Sequence, residues 1–224
     1  MTIRAKLYAA IVLTILGPLA TTAVAMHAMS NLGDSFDEVE ERSRHESLAL
    51  EVKFDVTDMN GWQTAYGYAG DGRFRAEFSD AATRLDRELR SAAEELDEAA
   101  EESLVSQLRR EYDRFMSFDR VAYGALRAGQ PARVKRILLG SELIRFEDMA
   151  ATASRLADYE VEQAAAAARA FDDDREDARK RLIAVALGAG IVIILLLVTA
   201  QDVVRMALEG ERRTRDDPKD GSPS

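Results

Sequence analysis

Two long apolar segments frame a polar, helix-forming middle in this chain of 224 residues. The second segment, 182–200, contains no charged residue and directly follows the basic triplet Arg179, Lys180 and Arg181. As a helix it would reach roughly 28 Å, close to the thickness of the hydrocarbon core of a bilayer. An apolar run of this length has no polar face to present to water, so the pattern predicts a transmembrane helix over 182–200.

The first apolar segment covers 7–29 and follows Arg4 and Lys6. It is compatible with two interpretations. One is a transmembrane helix over 1–29; the other is a signal peptide with a cleavage site at Ala23-Val24-Ala25. Helical periodicity continues beyond residue 29, which favours the uncleaved helix. In both interpretations the domain that follows lies outside the cytoplasm.

The charges that flank the first segment predict the orientation of the chain. Arg4 and Lys6 precede it, whereas Asp34, Asp37 and Glu38 follow it, and basic residues favour the cytoplasmic side of a membrane. We therefore expect a two-pass protein of the cell membrane with both termini in the cytoplasm. The segment 30–181 is then extracytoplasmic, and 201–224 is a short cytoplasmic tail whose polar end is too poor in apolar residues to fold.

The middle segment, 30–181, shows helical periodicity and no convincing strand alternation. We predict an all-α fold, a membrane-anchored antiparallel up-down-up-down four-helix bundle with two transmembrane helices. The glycine-containing sequences at 70–72 and 129–131 separate the helices. The first predicted helix continues from the membrane to about Ala69, the second covers 74–98, and the third runs from Leu104 to near Gly129. A short helix follows at 132–139, and the last helix runs from Ser141 into the second span.

The first helix has an inward stripe and, beyond Leu50, apolar or small residues on two faces. A helix of this kind usually contacts two neighbours. We expect one neighbour to be the rest of the bundle and the other to be a second subunit, and hence a homodimer. The early stripe is Met29, Leu32, Phe36, Val39, Ser43, Glu46 and Leu50; the two later faces are Val52, Val56, Met59, Gln63 and Tyr66, and Phe54, Thr57, Gly61, Thr64 and Tyr68.

Composition excludes several classes of function. The chain has 40 acidic and 30 basic residues, and this negative balance disfavours nucleic acid as a partner. Without cysteine there is no disulfide framework and no thiolate ligand. No nucleotide-binding glycine loop and no Ser-His-Asp order is present, so we expect neither an enzyme nor a cofactor.

Three charged groups are interpreted as ordinary surface. The acidic run 94–102 reads as a solvated helix face and turn, and Arg73 and Arg75 read as solvated residues, although they could face an anion. His45 has Glu41 one helical turn away, but a metal site would need two or three further ligands. We therefore expect no metal.

The best candidate ligand-binding residues surround the only tryptophan. Trp62 and Tyr66 would form apolar walls, while Asp58, Asn60 and Gln63 would supply hydrogen bonds. The alternative is structural: Gly61 lets a neighbouring helix approach, and Trp62 closes the distal end of the bundle.

The same patch, Asp58-Met59-Asn60-Gly61-Trp62-Gln63-Thr64-Ala65-Tyr66, resembles a sequence near the end of the first outer helix in some methyl-accepting chemotaxis receptors. Arg145-Phe146-Glu147-Asp148-Met149 is similar to the start of their fourth helix. The layout of 1–208 also resembles the sensor half of these receptors. After it, the HAMP and signalling domains of the family are missing.

The resemblance implies a membrane-anchored, dimeric sensor of a small-molecule ligand that acts in signal transduction without its own output domain. The alternative is a non-sensing structural or adaptor protein. Such an adaptor would pair with a full-length chemoreceptor or with other membrane-spanning helices.

Overall fold

A computed structural model describes residues 3–215, without the side chains of residues 3–7, 9–11, 13, 141, 202, 203 and 206–215. Within this range the chain is helical and contains no strand, which confirms the all-α prediction. The predicted disordered end of the tail, 216–224, lies outside the described residues. The helices are α1 (Ile3–Ala69), α2 (Gly72–Glu95), α3 (Ala99–Arg127), α4 (Pro131–Ile137) and α5 (Leu143–Arg215), with a π-helical turn at Leu138–Glu142 before α5.

Glycines end the helices where the sequence predicted breaks. Gly70 and Gly129 both have a φ of 66°, the left-handed conformation that glycine adopts most readily. At the first break, the Gly70 amide donates to the Tyr66 carbonyl at 2.9 Å. Asp71 then caps α2 by accepting from the Arg73 amide at 2.8 Å.

The turn between α2 and α3 confirms the solvated acidic surface for Glu94, Glu95, Asp97 and Glu102 and corrects it for Glu101. Helix α2 ends at Glu95, earlier than predicted, and Leu96 turns its side chain into the core. Glu98 and Glu101 form a capping box at the start of α3. Glu101 is completely buried because it lies on the inward face of α3, next to Val105 and Leu108.

Residues Phe36–Ala170 form one compact unit, which we call the core unit. Helices α1, α2, α3 and α5 contribute to its apolar interior, which includes Val52, Val56, Met59, Phe78, Leu85, Leu89, Leu108, Phe115, Met149 and Leu156. Burial of these side chains is the main force that holds four amphipathic helices together.

The early stripe predicted for α1 is displaced by one position near its end, whereas the predicted Leu32 and Val39 are half-buried. His45 and Ala49 are buried in line with Val52, whereas Leu50 is 43% exposed. A 3–4 spacing traced back from Val56 passes through these residues. Because one is a histidine and one is a small alanine, strongly apolar residues alone did not mark the buried face.

The second compact unit contains the two ends of the chain, up to Ser35 and from Phe171 onward. The helical stretch Pro131–Gln201 contains the one window of the described residues that is long and apolar enough to cross a membrane. Its mean hydropathy is 3.0 and none of it is buried. The first apolar segment includes side chains outside the described set, and the first span stays a prediction.

Candidate ligand-binding site

Asp119 of α3 is the centre of a buried polar network. Its side chain is fully buried and accepts hydrogen bonds from Gln63 Nε2 at 3.1 Å and from the hydroxyl of Tyr66. The guanidinium of Arg75 approaches both carboxylate oxygens through Nη1, at 2.9 and 2.8 Å. A buried carboxylate is tolerated when a charge and hydrogen bonds compensate its lost hydration. Asp119 therefore connects α1, α2 and α3.

Arg75 lies among three aromatic rings, which corrects its interpretation as a solvated residue. The guanidinium carbon is 5.0 Å from the ring centre of Tyr66, 4.7 Å from that of Phe78 and 4.4 Å from that of Tyr123. These distances are in the range of cation–π interactions. The side chain still keeps 25% of its surface exposed. Arg73, in contrast, is 86% exposed and pairs with Asp71, as a surface residue would.

Glu142, at the end of the π-helical turn, extends the network towards α5. It is 1% exposed, and its Oε1 accepts from Gln63 Nε2 at 2.5 Å, while its Oε2 has no hydrogen-bond partner. Burial raises the pKa of Glu142 to about 7, and the negative charge of Asp119 acts in the same direction. Near neutral pH the folded protein therefore holds a substantial fraction of Glu142 as the neutral acid.

Tyr66 retains its proton under all ordinary conditions. Burial and the neighbouring charge of Asp119 raise the pKa of its hydroxyl well above the usual value. Because the hydroxyl stays neutral, it acts as a donor to Asp119. Gln63 and Tyr66 are thus fixed to the same acceptor from adjacent turns of α1.

A cleft of about 280 Å³ lies beside this network, at the turn between α1 and α2. The volume is at the small end of ligand pockets in proteins. Its lining includes two arginines and two tyrosines, together with Asp71, whose carboxylate is paired with Arg73. The two arginines suit a small anion with some apolar surface. The lining residues are Tyr66, Gly70, Asp71, Gly72, Arg75, Tyr123, Leu126 and Arg127.

The structure brings together only part of the predicted site. Gln63 and Tyr66 belong to the network, and Tyr66 also lines the cleft. Asp58 instead pairs with Arg84 of α2 at 2.6 Å. Asn60 is half-buried, and neither it nor Trp62 lines the cleft. A role in ligand binding stays a prediction for all five residues.

Sequence reasoning missed Asp119, Glu142 and Tyr123, and it named Arg75 only as a residue that could face an anion. The signal for Asp119 was its position, since it lies four residues after Phe115 and three before Ala122, both buried. A charged residue at an inward position of an amphipathic helix marks a buried polar contact. Its partners come from other helices, and nothing local to α3 indicates them.

Trp62 is half-buried and stacks on Phe74, with ring centres 6.1 Å apart and planes inclined by 24°. We expect Trp62→Ala to lower the free energy of unfolding by about 1–2 kcal/mol, below the roughly 3–5 kcal/mol for emptying a fully buried aromatic site. Denaturant unfolding of the full chain in detergent micelles, followed by circular dichroism, measures this change. Trp62→Phe preserves the stacking and serves as the control. A loss above about 3 kcal/mol would show that Trp62 is a core residue.

Comparison with protein-family models, with curated proteins and with solved structures yields no match to this chain. The resemblance to chemotaxis receptors therefore stays a prediction from the sequence patches quoted above.

Proposed function

We propose that this protein is a membrane-anchored sensor-like module for signal transduction that binds a small organic anion in the cleft between α1 and α2. One observation carries the proposal: a partly exposed arginine, Arg75, is fixed at the wall of a small cleft by a buried network. Arginine recognises carboxylates through paired hydrogen bonds, and a fixed guanidinium loses little entropy on binding. Arg127 adds a second positive charge to the same cleft.

The network offers a route by which an occupied cleft would affect the rest of the chain. A bound anion competes with Asp119 for Arg75, and Asp119 shares Gln63 with Glu142. Glu142 directly precedes α5, and α5 continues without interruption into the apolar segment 182–200. Helix α1 likewise contains two residues of the network, Gln63 and Tyr66, and also the first apolar segment. These continuous helices support a sensor that signals through its helix ends.

The membrane arrangement that accompanies this function has two spans, near 7–29 and 182–200. The core unit would be an extracytoplasmic up-down-up-down four-helix bundle, with both termini in the cytoplasm. The support is the unburied apolar stretch in Pro131–Gln201 and the charge asymmetry around the first segment.

Thiol labelling tests this topology, because the chain has no cysteine of its own. In intact cells, an impermeant thiol reagent should modify Ser91→Cys in the core unit and leave Ser222→Cys in the tail unmodified. After the membrane is permeabilised, both variants should react. Modification of Ser222→Cys in intact cells would contradict a cytoplasmic C-terminus.

The outward face of α1 supports a homodimer. Three apolar side chains of α1 lie on the face that points away from the interior of the core unit. Leu50 is 43% exposed, Phe54 is 67% exposed and Tyr68 is 52% exposed. Apolar side chains grouped in this way favour a partner surface. The same face suits the alternative, an adaptor that pairs with a chemoreceptor or another membrane-spanning helix.

Single cysteines along 52–68 distinguish a dimer from a monomer. Oxidation in membranes should cross-link two chains at Phe54→Cys and at Gly61→Cys, which lie on the exposed face. Val56→Cys is the buried control, because Val56 is 1% exposed, and it should not cross-link. Equal cross-linking at all three positions would contradict the predicted dimer interface. Cross-links to a second protein in place of a second copy would favour the adaptor.

Ligand binding is tested with the full chain in detergent micelles and a panel of small mono- and dicarboxylates and amino acids. A ligand at 100 times its Kd should stabilise the folded protein by about 2.7 kcal/mol, seen as a rise in Tm. Arg127→Ala should abolish this rise while leaving the buried network in place. Arg133→Ala removes an exposed arginine that does not line the cleft and is the matched control. No response to any anion, or equal loss in both variants, would refute the site.

A further inference from the structure

A second cluster of titratable side chains lies at the end of α2 opposite the cleft. His45 of α1, Glu101 of α3 and Glu160 of α5 each offer one potential ligand atom, and these atoms all lie within 4.8 Å of one another. His45 is 4% exposed and both glutamates are fully buried. Three helices that are distant in the sequence thus present a nitrogen and two carboxylates to one enclosed point.

Several polar atoms of these side chains have no hydrogen-bond partner. Both carboxylate oxygens of Glu160 are buried and unpartnered, and so is Nδ1 of His45. Buried polar atoms in folded proteins are almost always satisfied, because an unmade hydrogen bond costs the full desolvation of the group. Glu160, one of the offered ligands, therefore lies in the cluster beside the carboxylate of Glu101, and no N–H or O–H donor of the described residues bonds to it.

Glu101 is held in position by neighbours that leave room for a further bond. Its Oε1 accepts from Arg42 Nη1 at 3.2 Å, and its Oε2 accepts from the Glu98 amide at 3.0 Å. A carboxylate oxygen has more than one lone pair, so such contacts orient a ligand without occupying it fully. This arrangement resembles the outer contacts that fix metal ligands in proteins.

The formal charges around the cluster do not balance. Arg42 pairs with both Glu98 and Glu101, and Glu98 also accepts from the hydroxyl of Tyr159 at 2.5 Å. Metal binding requires an ionised Glu160, and three carboxylates then face one guanidinium. These four groups carry an excess of two negative charges in that state, which one divalent cation would neutralise.

We propose that His45, Glu101 and Glu160 bind one divalent transition-metal ion of the Zn²⁺ type, which ties α1, α3 and α5 together. An imidazole with two carboxylates suits Zn²⁺ and its first-row neighbours, whereas Ca²⁺ and Mg²⁺ prefer a shell of oxygen atoms. Tetrahedral metal–ligand bonds of 2.0–2.2 Å place two ligand atoms roughly 3.3–3.6 Å apart, so side-chain rotations that move these atoms by about an ångström bring them into range. Water would complete the coordination.

This site was not expected from the sequence, because Glu41 was the only other potential metal ligand that helical spacing placed near His45. The other two ligands come from α3 and α5, and Glu101 belongs to the run that was interpreted as solvated surface. The inference does not depend on the anion site, because the two clusters share no residue.

The test uses the full chain without an affinity tag, freed of metal by a chelator, in detergent micelles at about pH 7.5. After equilibration with Zn²⁺ and removal of free ion, elemental analysis should find one Zn²⁺ per chain. Free Zn²⁺ at 100 times its Kd should raise the Tm by roughly 5–10 °C. Co²⁺ should give the visible absorption of a low-coordinate site, while Mg²⁺ should change neither observable.

Glu160→Gln and His45→Gln should each lose the bound Zn²⁺ and the Tm response. Glu88→Gln is the matched control, because Glu88 is another partly buried carboxylate, on α2, with an unpartnered oxygen, and it lies outside the cluster. It should bind Zn²⁺ like the parent chain. If a variant does not fold, the stoichiometry and the Co²⁺ spectrum of the parent chain decide the question.

The competing occupant is a proton, since burial and the neighbouring Glu101 raise the pKa of Glu160 to about 8. A parent chain that retains no Zn²⁺, has a Tm independent of Zn²⁺ and leaves Co²⁺ with the spectrum of the hydrated ion would identify a protonated carboxyl pair and overturn the proposal. Binding that persists in both Glu160→Gln and His45→Gln would also overturn it, because the ion would then lie elsewhere.

Discussion

Asp119→Ala is expected to lower the free energy of unfolding of the core unit by about 3–5 kcal/mol. The carboxylate is fully buried and is the shared acceptor for Arg75, Gln63 and Tyr66. Its removal leaves a guanidinium without a counter-charge and the buried Tyr66 hydroxyl without an acceptor, while Gln63 keeps only its bond to Glu142. Each of these losses carries the desolvation cost of the remaining group, so the penalty exceeds that of an ordinary hydrogen bond.

Denaturant unfolding of the full chain in micelles measures this effect, with the fluorescence of Trp62, the sole tryptophan, as the signal from the core unit. Asp119→Asn retains an acceptor of the same shape and should lose less than the alanine variant. Asp113→Ala, on the same helix with a side chain that is 61% exposed, is the matched control and should change the stability by less than about 0.5 kcal/mol. A loss below about 1 kcal/mol in Asp119→Ala would show that the network does not hold the helices together.

Glu142→Gln is expected to stabilise the protein at about pH 8 by up to about 3 kcal/mol, with little change at about pH 5. Glu142 has a pKa of about 7 in the folded protein against 4.5 as the ordinary value. Below pH 4.5 both the folded and the unfolded chain hold the proton, and the residue imposes no penalty. As the pH rises from about 4.5 to about 7, the unfolded chain releases the proton first, so the stability falls. Above about pH 7 the loss is complete.

The measurement is the free energy of unfolding of parent and variant across this pH range, because their difference isolates Glu142 from other titrating groups. The groups that face it are Asp119, which adds negative charge, and Gln63, which donates to it. Glu147→Gln, which changes an exposed glutamate of the adjacent helix α5, is the control and should follow the parent curve. Parallel curves for the parent chain and Glu142→Gln would contradict a raised pKa at this position.

The two ends of α2 carry different chemistry. At the α1–α2 turn, an arginine is surrounded by aromatic rings and a buried carboxylate beside an open cleft. At the α2–α3 turn, a histidine and two glutamates form an enclosed cluster with unpartnered atoms. The first suits a ligand that enters and leaves, and the second suits a resident ion that fastens the helices. The separate variants proposed above test each end without disturbing the other.

The sequence by itself determined the fold class and the positions at which the helices end. Long runs of strong helix formers predicted an all-α chain, and the structure confirms it for the described residues. Gly70 and Gly129 marked the breaks correctly, because their left-handed conformation is a local property that depends on the residue alone. The charge-free run at 182–200 was also visible directly, since hydropathy needs no tertiary contact.

Only the tertiary structure decided which charged residues are buried and what they contact. Asp119 contacts Gln63 and Arg75 from other segments, and Gln63 connects it to Glu142. Glu101 likewise lies close to His45 and Glu160. Helical periodicity assigns a residue to a face, but the burial of a charge depends on whether another helix supplies a partner. For the same reason Arg75 and Arg73, two positions apart, have opposite environments: one lies on the inward side of α2 among aromatic rings, and the other lies in solvent.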